Sequence, residues 1–381
     1  MTNEIVKGFR DYSDEDAKKR AEVRKLLVET FEKYCFEPAE TPIVEYEEFV
    51  KGENQNDEAV SDIFKLQDKG KRKLALRYEF TFQLKRLMKN KKLPYKRYQI
   101  GEVFRDEPVS SNRFRQFTQC DIDTIGSTVK DEAEILALTK EVFEKLGLKP
   151  IILINNRKLL NEILDDNDIK EKNKEQVLRE IDKLECKCKF DEKNVVANLK
   201  KLGAGNIFDC LKKGEKYFSQ FESYKEIISL MEYCRAYGFE ILFSPTLVRG
   251  LSYYNGSIFE IKTEGIKESI VGGGSYFFNN VQCTGLSFGL DRIVVLAKIE
   301  IKKENILIIS LNQDRKSIEL AQKLRKKGKG VSLFYGKPTK ALDYANSKKI
   351  NQVIFVGSRE VKEKKFKIKD MKSGKESVLK I

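Results

Sequence analysis

The sequence predicts an α+β protein built from two domains, residues 1–303 and residues 304–381. Two long runs of strand-forming residues lie within residues 96–125 and are joined by a turn-rich loop, which indicates an antiparallel hairpin. From residue 304 onward, short apolar strands alternate with helices, which is typical of a small α/β sheet. The chain of 381 residues is also longer than one ordinary domain.

The first domain is expected to open with a helix. Ser13 and Asp16 have the spacing of an N-terminal capping box, and apolar residues follow at helical spacing over residues 21–34. Further along, Leu74–Tyr78 has the composition of a strand, and Phe80–Met88 has the pattern of a helix.

The hairpin is predicted from the strands Lys96–Glu107 and Arg115–Ile125. Alternation along the second strand puts Gln119, Asp121 and Asp123 on one face, and small or apolar residues on the other. Such a polar face fits either an edge strand that meets water or the floor of a polar pocket, and the sequence leaves both interpretations open.

The remainder of the first domain contains a helical, charged segment at residues 156–235, which we interpret as an insertion. Strands and helices are predicted on both sides of it. These flanking elements are a helix at 130–147, strands at 151–154, 246–248, 256–261 and 268–271, and a closing helix at Leu286–Leu296.

The last fifth of the chain carries all of its excess charge. Residues 301–381 contain 22 Lys and Arg against 8 Asp and Glu, a net charge of +14 that equals the net charge of the whole chain. A neutral body with a basic terminal domain predicts a polyanion, such as a nucleic acid, as the partner of that domain. A lysine-rich surface that is only solvated would have the same composition.

Several kinds of site are excluded or disfavoured. The chain contains no histidine, so Ser-His-Asp catalysis, Cys-His catalysis and histidine-containing zinc sites are excluded. Of seven scattered cysteines only Cys186 and Cys188 lie close together, so we expect reduced thiols and no metal site built by the protein. No apolar run approaches the ~18 residues that span a bilayer, and the first ten residues do not resemble a signal peptide. We therefore expect a cytoplasmic protein without a membrane segment.

Three arginines stand in contexts that suggest chemistry. Arg105 ends the first hairpin strand two residues before Glu107, Arg249 precedes Gly250, and Arg292 lies in the predicted closing helix. The planar guanidinium group suits phosphate oxygens, although a single arginine on a strand is more often part of a surface ion pair.

Taken together, these segments resemble the class II aminoacyl-tRNA synthetases over nearly the full chain. Residues 31–45 are similar to motif 1 of that class, residues 104–117 to motif 2 and residues 285–292 to motif 3. The sequences LVRGLSYY at 247–254 and GGGSY at 272–276 resemble the two histidine-specific motifs of histidyl-tRNA synthetases. The segments LRYEFT at 76–81 and QCDID at 119–123 are similar to the archaeal and eukaryotic form of that family.

The resemblance implies both architecture and activity. It implies an antiparallel-sheet catalytic domain with a helical insertion, followed by an α/β anticodon-binding domain. The implied reaction is ATP-dependent ligation of L-histidine to tRNA(His) through a histidyl-adenylate. ATP with Mg²⁺, L-histidine, tRNA(His) and a second copy of the chain are the implied ligands and partners.

The resemblance also assigns roles to individual residues. Arg105 and Arg249 would be catalytic because they hold the α-phosphate. The ATP site would consist of Arg105, Glu107 and Arg292. The histidine site would consist of Glu79, Thr81, Gln119, Asp123, Arg249, Tyr253, Tyr254 and Tyr276. In that site, the first three would bind the α-amino group, whereas Asp123 and Tyr254 would bracket the imidazole nitrogens.

Within the two histidine-specific motifs and the residue after them, the sequence departs from the family pattern at three positions, and Cys35 replaces a common Gly in motif 1. Ser252 and Ser275 stand where the family usually has Asp and Arg, and Phe277 stands where it usually has Asp. We therefore expect the surroundings of the amino acid pocket, and with them the strictness of histidine selection, to differ from the family norm.

Two alternatives come from other functional classes. The first is a non-catalytic relative that binds histidine, like the regulatory subunit of ATP phosphoribosyltransferase. The basic domain after residue 304 and Arg249 both disfavour it. The second is a nucleic-acid-binding accessory protein, which would not need Arg105, Glu107 and Arg292 together.

Overall fold

The computed structural model describes residues 3–51, 62–110, 113–185, 192–249, 253–266, 268–300 and 305–379. The chain divides into two compact units, Met1–Ile299 and Glu300–Ile381. The domain boundary predicted between residues 303 and 304 lies outside the described residues.

The first unit contains eleven strands and eleven helices within its described residues. The strands are β1 (Glu37–Pro38), β2 (Val44–Tyr46), β3 (Lys65–Gln67), β4 (Lys73–Leu76), β5 (Tyr95–Phe104), β6 (Gln116–Ile125), β7 (Pro150–Asn156), β8 (Leu242–Phe243), β9 (Tyr254–Thr263), β10 (Val271–Phe278) and β11 (Val281–Gly289). The helices are α1 (Asp14–Lys33), α2 (Glu47–Lys51), α3 (Leu84–Leu87), α4 (Val129–Lys145), α5 (Arg157–Asp166), α6 (Glu171–Glu185), α7 (Glu192–Lys201), α8 (Ile207–Leu211), α9 (Glu215–Phe218), α10 (Tyr224–Ala236) and α11 (Leu290–Leu296).

An eight-stranded sheet organises this unit, in the order β1-β5-β6-β11-β10-β9-β7-β8. The six long strands pair antiparallel with their neighbours, and the two short edge strands pair parallel. The predicted α+β class is confirmed. A separate three-stranded sheet has the order β2-β4-β3.

Helices cover the apolar face of the large sheet. The ring of Phe31 on α1 lies 5.6 Å, centroid to centroid, from both Tyr98 of β5 and Phe288 of β11. Cys120 and Ile122 of β6 are fully buried in the same core. Burial of this apolar surface, at roughly 25 cal/mol per Å², holds the sheet against α1 and α4.

Two predicted elements are wrong. The closing helix at Leu286–Leu296 begins at Leu290, because residues 286–289 belong to β11. There Leu286 and Phe288 are buried while Ser287 between them is partly exposed, which is the two-residue period of a strand paired on both sides. The strand predicted at 246–248 is a turn and an extended segment.

The segment predicted as a helical insertion, residues 156–235, contains α5 to α10. Leu159, Val177 and Leu230 are among its buried residues and join the core of the first unit. Cys186 and Cys188 lie outside the described residues.

The second unit is a five-stranded sheet with helices, and it agrees with the predicted α/β pattern. Its strands are β12 (Asn305–Ser310), β13 (Gly330–Tyr335), β14 (Gln352–Val356), β15 (Lys367–Asp370) and β16 (Glu376–Val378), and its helices are α12 (Asp314–Lys326), α13 (Pro338–Ser347) and α14 (Ser358–Glu363). The strand order is β13-β12-β14-β15-β16. Ile306 and Ile308 lie in one apolar cluster, whereas Leu307 and Ile309 lie in another. Because both faces of β12 are covered, its sequence is continuously apolar.

None of the helices within the described ranges is long and apolar enough to cross a membrane.

Close approach of β10 and β11 depends on glycine. A Cβ atom on Gly273 would lie 2.0 Å from the carbonyl oxygen of Gly285 and 2.8 Å from the Cα of Leu286. Both contacts are to the backbone, which cannot move aside without separating the strands.

We expect Gly273→Ala to destabilise the first unit, because overpacking of this kind costs about 1–3 kcal/mol. Thermal unfolding measures the effect as a lower Tm. Gly214→Ala is the matched control, because a Cβ atom there would meet nothing within 4 Å. An equal Tm for the two variants would contradict the close strand approach.

Candidate active site

The polar face of β6 forms a buried floor, which we call the polar floor and define as Gln119, Asp121 and Asp123. Each of these side chains is less than one-tenth exposed. Because β6 pairs with β5 on one side and β11 on the other, the edge-strand interpretation is wrong.

Asp123 is held by two neighbours. Tyr276 Oη donates a hydrogen bond to Asp123 Oδ1 at 2.5 Å, and Arg97 Nη2 lies 2.7 Å from Asp123 Oδ2. Burial raises the pKa of Asp123, and the charge of Arg97 and the Tyr276 hydrogen bond oppose that rise. A Cβ atom on Gly285 would lie 2.2 Å from Asp123 Oδ1, so glycine at this position makes room for the carboxylate.

Arg97 is a functional residue that the sequence reasoning missed. Its side chain on β5 is fully buried and forms an ion pair with Asp123. The only available signal was a charged residue near the start of the strand predicted at Lys96–Glu107. A charged side chain that is buried in a strand requires a counter-charge.

Three predicted tyrosines lie side by side above the polar floor. The ring centroids of Tyr253 and Tyr254 are 4.8 Å apart, and those of Tyr253 and Tyr276 are 5.6 Å apart. Burial raises the pKa of all three phenols, so each remains a neutral hydroxyl at ordinary pH. A Cβ atom on Gly274 would lie 2.9 Å from the Tyr254 ring, so this glycine admits the ring.

The three residues predicted to bind the α-amino group have polar neighbours in the structure. The backbone N–H of Phe82 donates to Glu79 Oε1 at 3.1 Å, and Thr81 bonds with both Glu79 and Tyr253. Burial raises the pKa of Glu79. Gln119 Nε2 donates to Ser287 Oγ at 2.6 Å, while Gln119 Oε1 is buried and has no hydrogen-bond partner among the described residues.

Arg105 lies against aromatic rings, whereas Arg249 lies against a glycine and pairs with Glu260 at 3.5 Å. The guanidinium carbon of Arg105 lies 4.3 Å from the ring centroid of Tyr78 and 5.1 Å from that of Phe117. The guanidinium of Arg249 lies against Gly272, where a Cβ atom would be 2.3 Å from Nη2. The Nε atom of each arginine is buried and has no partner within the described part of the chain.

The pKa of Arg292 indicates that the arginines converge. Its Nη1 donates to the carbonyl oxygen of Ser269 at 2.6 Å. Burial lowers the pKa of Arg292, and the positive charges of Arg113, Arg249 and Arg105 lower it further. We call these four residues the arginine cluster. Positive side chains that repel one another in this way suit the binding of an anion.

Glu107 lies beside the arginine cluster. Arg113 Nη1 is 3.3 Å from Glu107 Oε2, and Arg115 Nε donates to the Glu107 carbonyl oxygen at 3.3 Å. The structure therefore brings every predicted site residue into one connected region. Gly250, Leu251 and Ser252 lie outside the described residues.

The departures at 275 and 277 do not line the tyrosine site. Ser275 Oγ donates to buried Glu132 of α4, and Ser257 Oγ donates to the same carboxyl at 2.7 Å. Phe277 is exposed. Burial raises the pKa of Glu132, and sequence reasoning gave this residue no role.

Asp121 provides a test of the polar floor's electrostatics. Burial raises its pKa to about 7, with Asp123 adding to the rise and Arg97 opposing it. A carboxyl with a raised pKa in the folded state stabilises the fold below its unfolded pKa, and this contribution is lost as the pH rises toward 7.

We therefore expect Asp121→Asn to gain stability relative to the wild type between about pH 5 and pH 7, by on the order of 1 kcal/mol per pH unit. Urea unfolding at several pH values measures this difference. Glu141→Gln is the control. Burial raises the pKa of Glu141, but hydrogen bonds from Lys145 and Lys33 outweigh burial and lower this pKa to about 2. Its effect should be constant over the same range, and a constant effect of Asp121→Asn would contradict the argument.

Comparison with known proteins identifies the family. A family model described as histidyl-tRNA synthetase matches residues 8–293, and one described as anticodon binding domain matches residues 305–381. A histidine–tRNA ligase of Shouchella clausii is 35% identical over 97% of this chain and 96% of its own length. One from Methanocaldococcus jannaschii is 31% identical over 98% of this chain and 96% of its own.

Solved structures show the same fold. The crystal structure of histidyl-tRNA synthetase from Nostoc sp. PCC 7120 matches with a TM-score of 0.86 at 23% identity, covering 100% of this chain and 97% of that one. A Bacillus halodurans structure described as an ATP phosphoribosyltransferase regulatory subunit/histidyl-tRNA synthetase matches with a TM-score of 0.78 at 23% identity, covering 93% of this chain and 98% of that one. Because the family model spans most of the chain and curated relatives exceed 30% identity over nearly all of it, the chain belongs to the histidyl-tRNA synthetase family.

Proposed function

We propose that this protein is a histidine–tRNA ligase, which joins L-histidine to tRNA(His) through a histidyl-adenylate formed from ATP. The observation that carries the proposal is the convergence of Arg105, Arg249 and Arg292, which are far apart in the sequence. A triphosphate is the anion that suits several guanidinium groups at once. The names of the curated relatives support the same activity.

The reaction consists of two displacements. The histidine carboxylate attacks the α-phosphorus of ATP, the bond to the β-phosphate breaks, and pyrophosphate leaves. A hydroxyl of the terminal tRNA ribose then attacks the carbonyl carbon, the bond from this carbon to the phosphate oxygen breaks, AMP leaves, and the hydroxyl proton is released. Both steps can proceed by positioning and charge neutralisation alone, which suits a chain without histidine.

The arginine cluster would hold ATP. Arg105 and Arg249 would contact the α-phosphate, where negative charge builds up in the transition state. Arg292 would bind the γ-phosphate, and Glu107 would accept a hydrogen bond from the adenine amino group. The rings around Arg105 and the glycine beneath Arg249 fix both guanidinium groups before ATP binds.

The polar floor and the tyrosines would hold histidine. The α-ammonium would lie among Glu79, Thr81 and Gln119, where Gln119 Oε1 is a buried acceptor without a partner among the described residues. Asp123 would accept a hydrogen bond from one imidazole nitrogen, and the Tyr254 hydroxyl would meet the other.

Tyr253 and Tyr276 would complete the imidazole slot. Tyr253 packs between the rings of Tyr254 and Tyr276, and Tyr276 fixes the Asp123 carboxylate by hydrogen bonding. A flat ring fits between such aromatic side chains, and their neutral hydroxyls add no charge to it.

Mg²⁺ would arrive with ATP. Within the described ranges, no three Cys, Asp or Glu side chains are grouped so that they could hold a metal ion by themselves. Mg²⁺ keeps water and takes phosphate oxygens as ligands, so the triphosphate would supply most of its coordination. When bound, it would neutralise phosphate charge alongside the arginines.

The second unit would bind tRNA. It matches the anticodon-binding family model, and its residues 300–381 contain 22 Lys and Arg against 9 Asp and Glu, a net charge of +13 out of the chain's +14. Lysines and arginines that neutralise phosphates release counterions, which makes such binding depend on salt.

A homodimer in the cytoplasm is the proposed working form. Ile43 and Val44 lie in the segment that resembles motif 1, and Tyr46 directly follows that segment. All three are exposed side chains with large apolar surfaces. Clustered exposed apolar residues suit a protein interface. Among the described residues, the cysteines are free thiols, as in a reducing compartment.

The regulatory-subunit alternative remains the second candidate. Its support is the likeness in fold to the Bacillus halodurans structure. The arginine cluster and the anticodon-binding match at residues 305–381 favour the ligase.

We expect ATP–pyrophosphate exchange with histidine and with none of the other amino acids. Isotope exchange with each amino acid in turn measures this. Histidine binding without exchange would favour the regulatory alternative. Tight nucleic-acid binding without amino acid binding would favour an accessory protein.

We expect Arg249→Ala to abolish histidine-dependent exchange while Tm stays near that of the wild type, because its guanidinium would no longer stabilise the α-phosphate. Arg179→Ala, on α6, is the matched control and should retain exchange, since this partly exposed side chain pairs with Glu175 in the insertion. Activity of Arg249→Ala within about tenfold of the wild type, or roughly 1.4 kcal/mol of barrier, would refute the assignment.

We expect the KM for tRNA to rise steeply with salt, linearly on a double-logarithmic plot, because phosphate contacts dominate that affinity. The KM for histidine, measured by exchange without tRNA, serves as the control and should change little. Parallel salt dependence of the two would argue against an electrostatic tRNA site.

A further inference from the structure

A chain of hydrogen bonds connects two residues of the polar floor through a serine on the neighbouring strand β11. Gln119 Nε2 donates to Ser287 Oγ at 2.6 Å, and Ser287 Oγ donates to Asp121 Oδ1 at 2.6 Å. Ser287 lies on β11 opposite Asp121 in the strand register. All three side chains are therefore aligned across neighbouring strands of one sheet.

The direction of this chain follows from proton counting. An ionised carboxylate only accepts hydrogen bonds, so the single hydroxyl proton of Ser287 is committed to Asp121. The Ser287 oxygen can then offer Gln119 only a lone pair. Gln119 must turn its NH₂ group toward Ser287, and its carbonyl oxygen Oε1 points away from Ser287.

This orientation decides what Gln119 can recognise. Its Oε1 is buried and has no hydrogen-bond partner in the described part of the chain. An unpaired buried acceptor attracts a donor such as an ammonium group, whereas an inverted amide would present two N–H donors to it.

We propose that Asp121 and Ser287 are positioning residues that lock Gln119 with its carbonyl oxygen toward the α-ammonium group of the amino acid. The inference rests on the proposed function, because it takes the α-amino site from that proposal. Asp121 and Ser287 would thereby favour ligands with an ammonium group, although neither residue contacts that group.

The charges around Asp121 agree with this arrangement. Burial raises the pKa of Asp121 to about 7, Arg97 of β5 opposes the rise, and Asp123 and Glu79 add to it. An arriving ammonium would favour the ionised form that holds the chain in the stated direction. Measurements at about pH 8, above this pKa, keep Asp121 ionised in the free protein.

Two ligands isolate the ammonium contact. Histidinol has the imidazole and the α-ammonium group, whereas imidazolepropionate has the imidazole but no ammonium group. We expect Ser287→Ala to raise the dissociation constant of histidinol about tenfold, which corresponds to the loss of a hydrogen bond to a charged group. The dissociation constant of imidazolepropionate should stay unchanged. Calorimetric titration of the full-length protein at about pH 8 measures both dissociation constants.

Further variants separate orientation from packing. Asp121→Ala should have the same ligand-selective effect. The double variant should bind histidinol no more weakly than either single variant, because both substitutions act through the amide of Gln119. Ser287→Thr keeps the hydroxyl and should restore histidinol binding. Ser219→Ala, which removes an exposed hydroxyl outside the site, is the matched control.

The outcomes distinguish this inference from the proposed function. Equal weakening of both ligands by Ser287→Ala, or no weakening of histidinol, would overturn the positioning role while the wild type still binds histidinol. If the wild type binds neither ligand, the histidine site itself is wrong and the inference falls with it.

Discussion

Acidic and basic side chains lie close together in the interior of this site. Among them, Asp123 pairs with Arg97, and Arg249 pairs with Glu260. Burial raises the pKa of the carboxyl groups of Glu79, Asp121 and Asp123, and the charges of Asp123 and Glu79 raise the pKa of Asp121 further. The arginine cluster lies beside them, and its mutual repulsion lowers the pKa of Arg292 after burial. A zwitterionic amino acid placed between them would put its ammonium group near the acids and its carboxylate near the arginines.

The sheet accommodates these charged residues because one of its faces is apolar and packs against helices, whereas the other face is polar. On β6, Cys120 and Ile122 pack in the core with the helices, while the alternate residues form the polar floor. Arg97 supplies a fully buried counter-charge at Asp123. Losing one partner of such a pair leaves an uncompensated charge and is costly, so the ion pair constrains this part of the sheet.

The departures from the family pattern gain a physical meaning in the structure. Ser275 lies against Glu132, whose buried carboxyl is met by hydroxyl groups of Ser275 and Ser257. Burial raises the pKa of Glu132, and the hydrogen bonds that Ser275 and Ser257 donate to its carboxyl group oppose that rise because they favour the ionised form. The substitution therefore changes the support of β10 rather than the face that carries Tyr276.

The sequence by itself determined the α+β class, the hairpin and the alternation that separates Asp121 from Ile122, because these follow from local periodicity. Motif resemblance also indicated the site residues that the structure assembles. Only the tertiary structure decided that β6 is an interior strand, that residues 286–289 extend β11, and that Arg97, Glu132 and Ser287 serve the site. These features depend on which strands become neighbours, and pairing between distant segments leaves no signal in the spacing of residues along one strand.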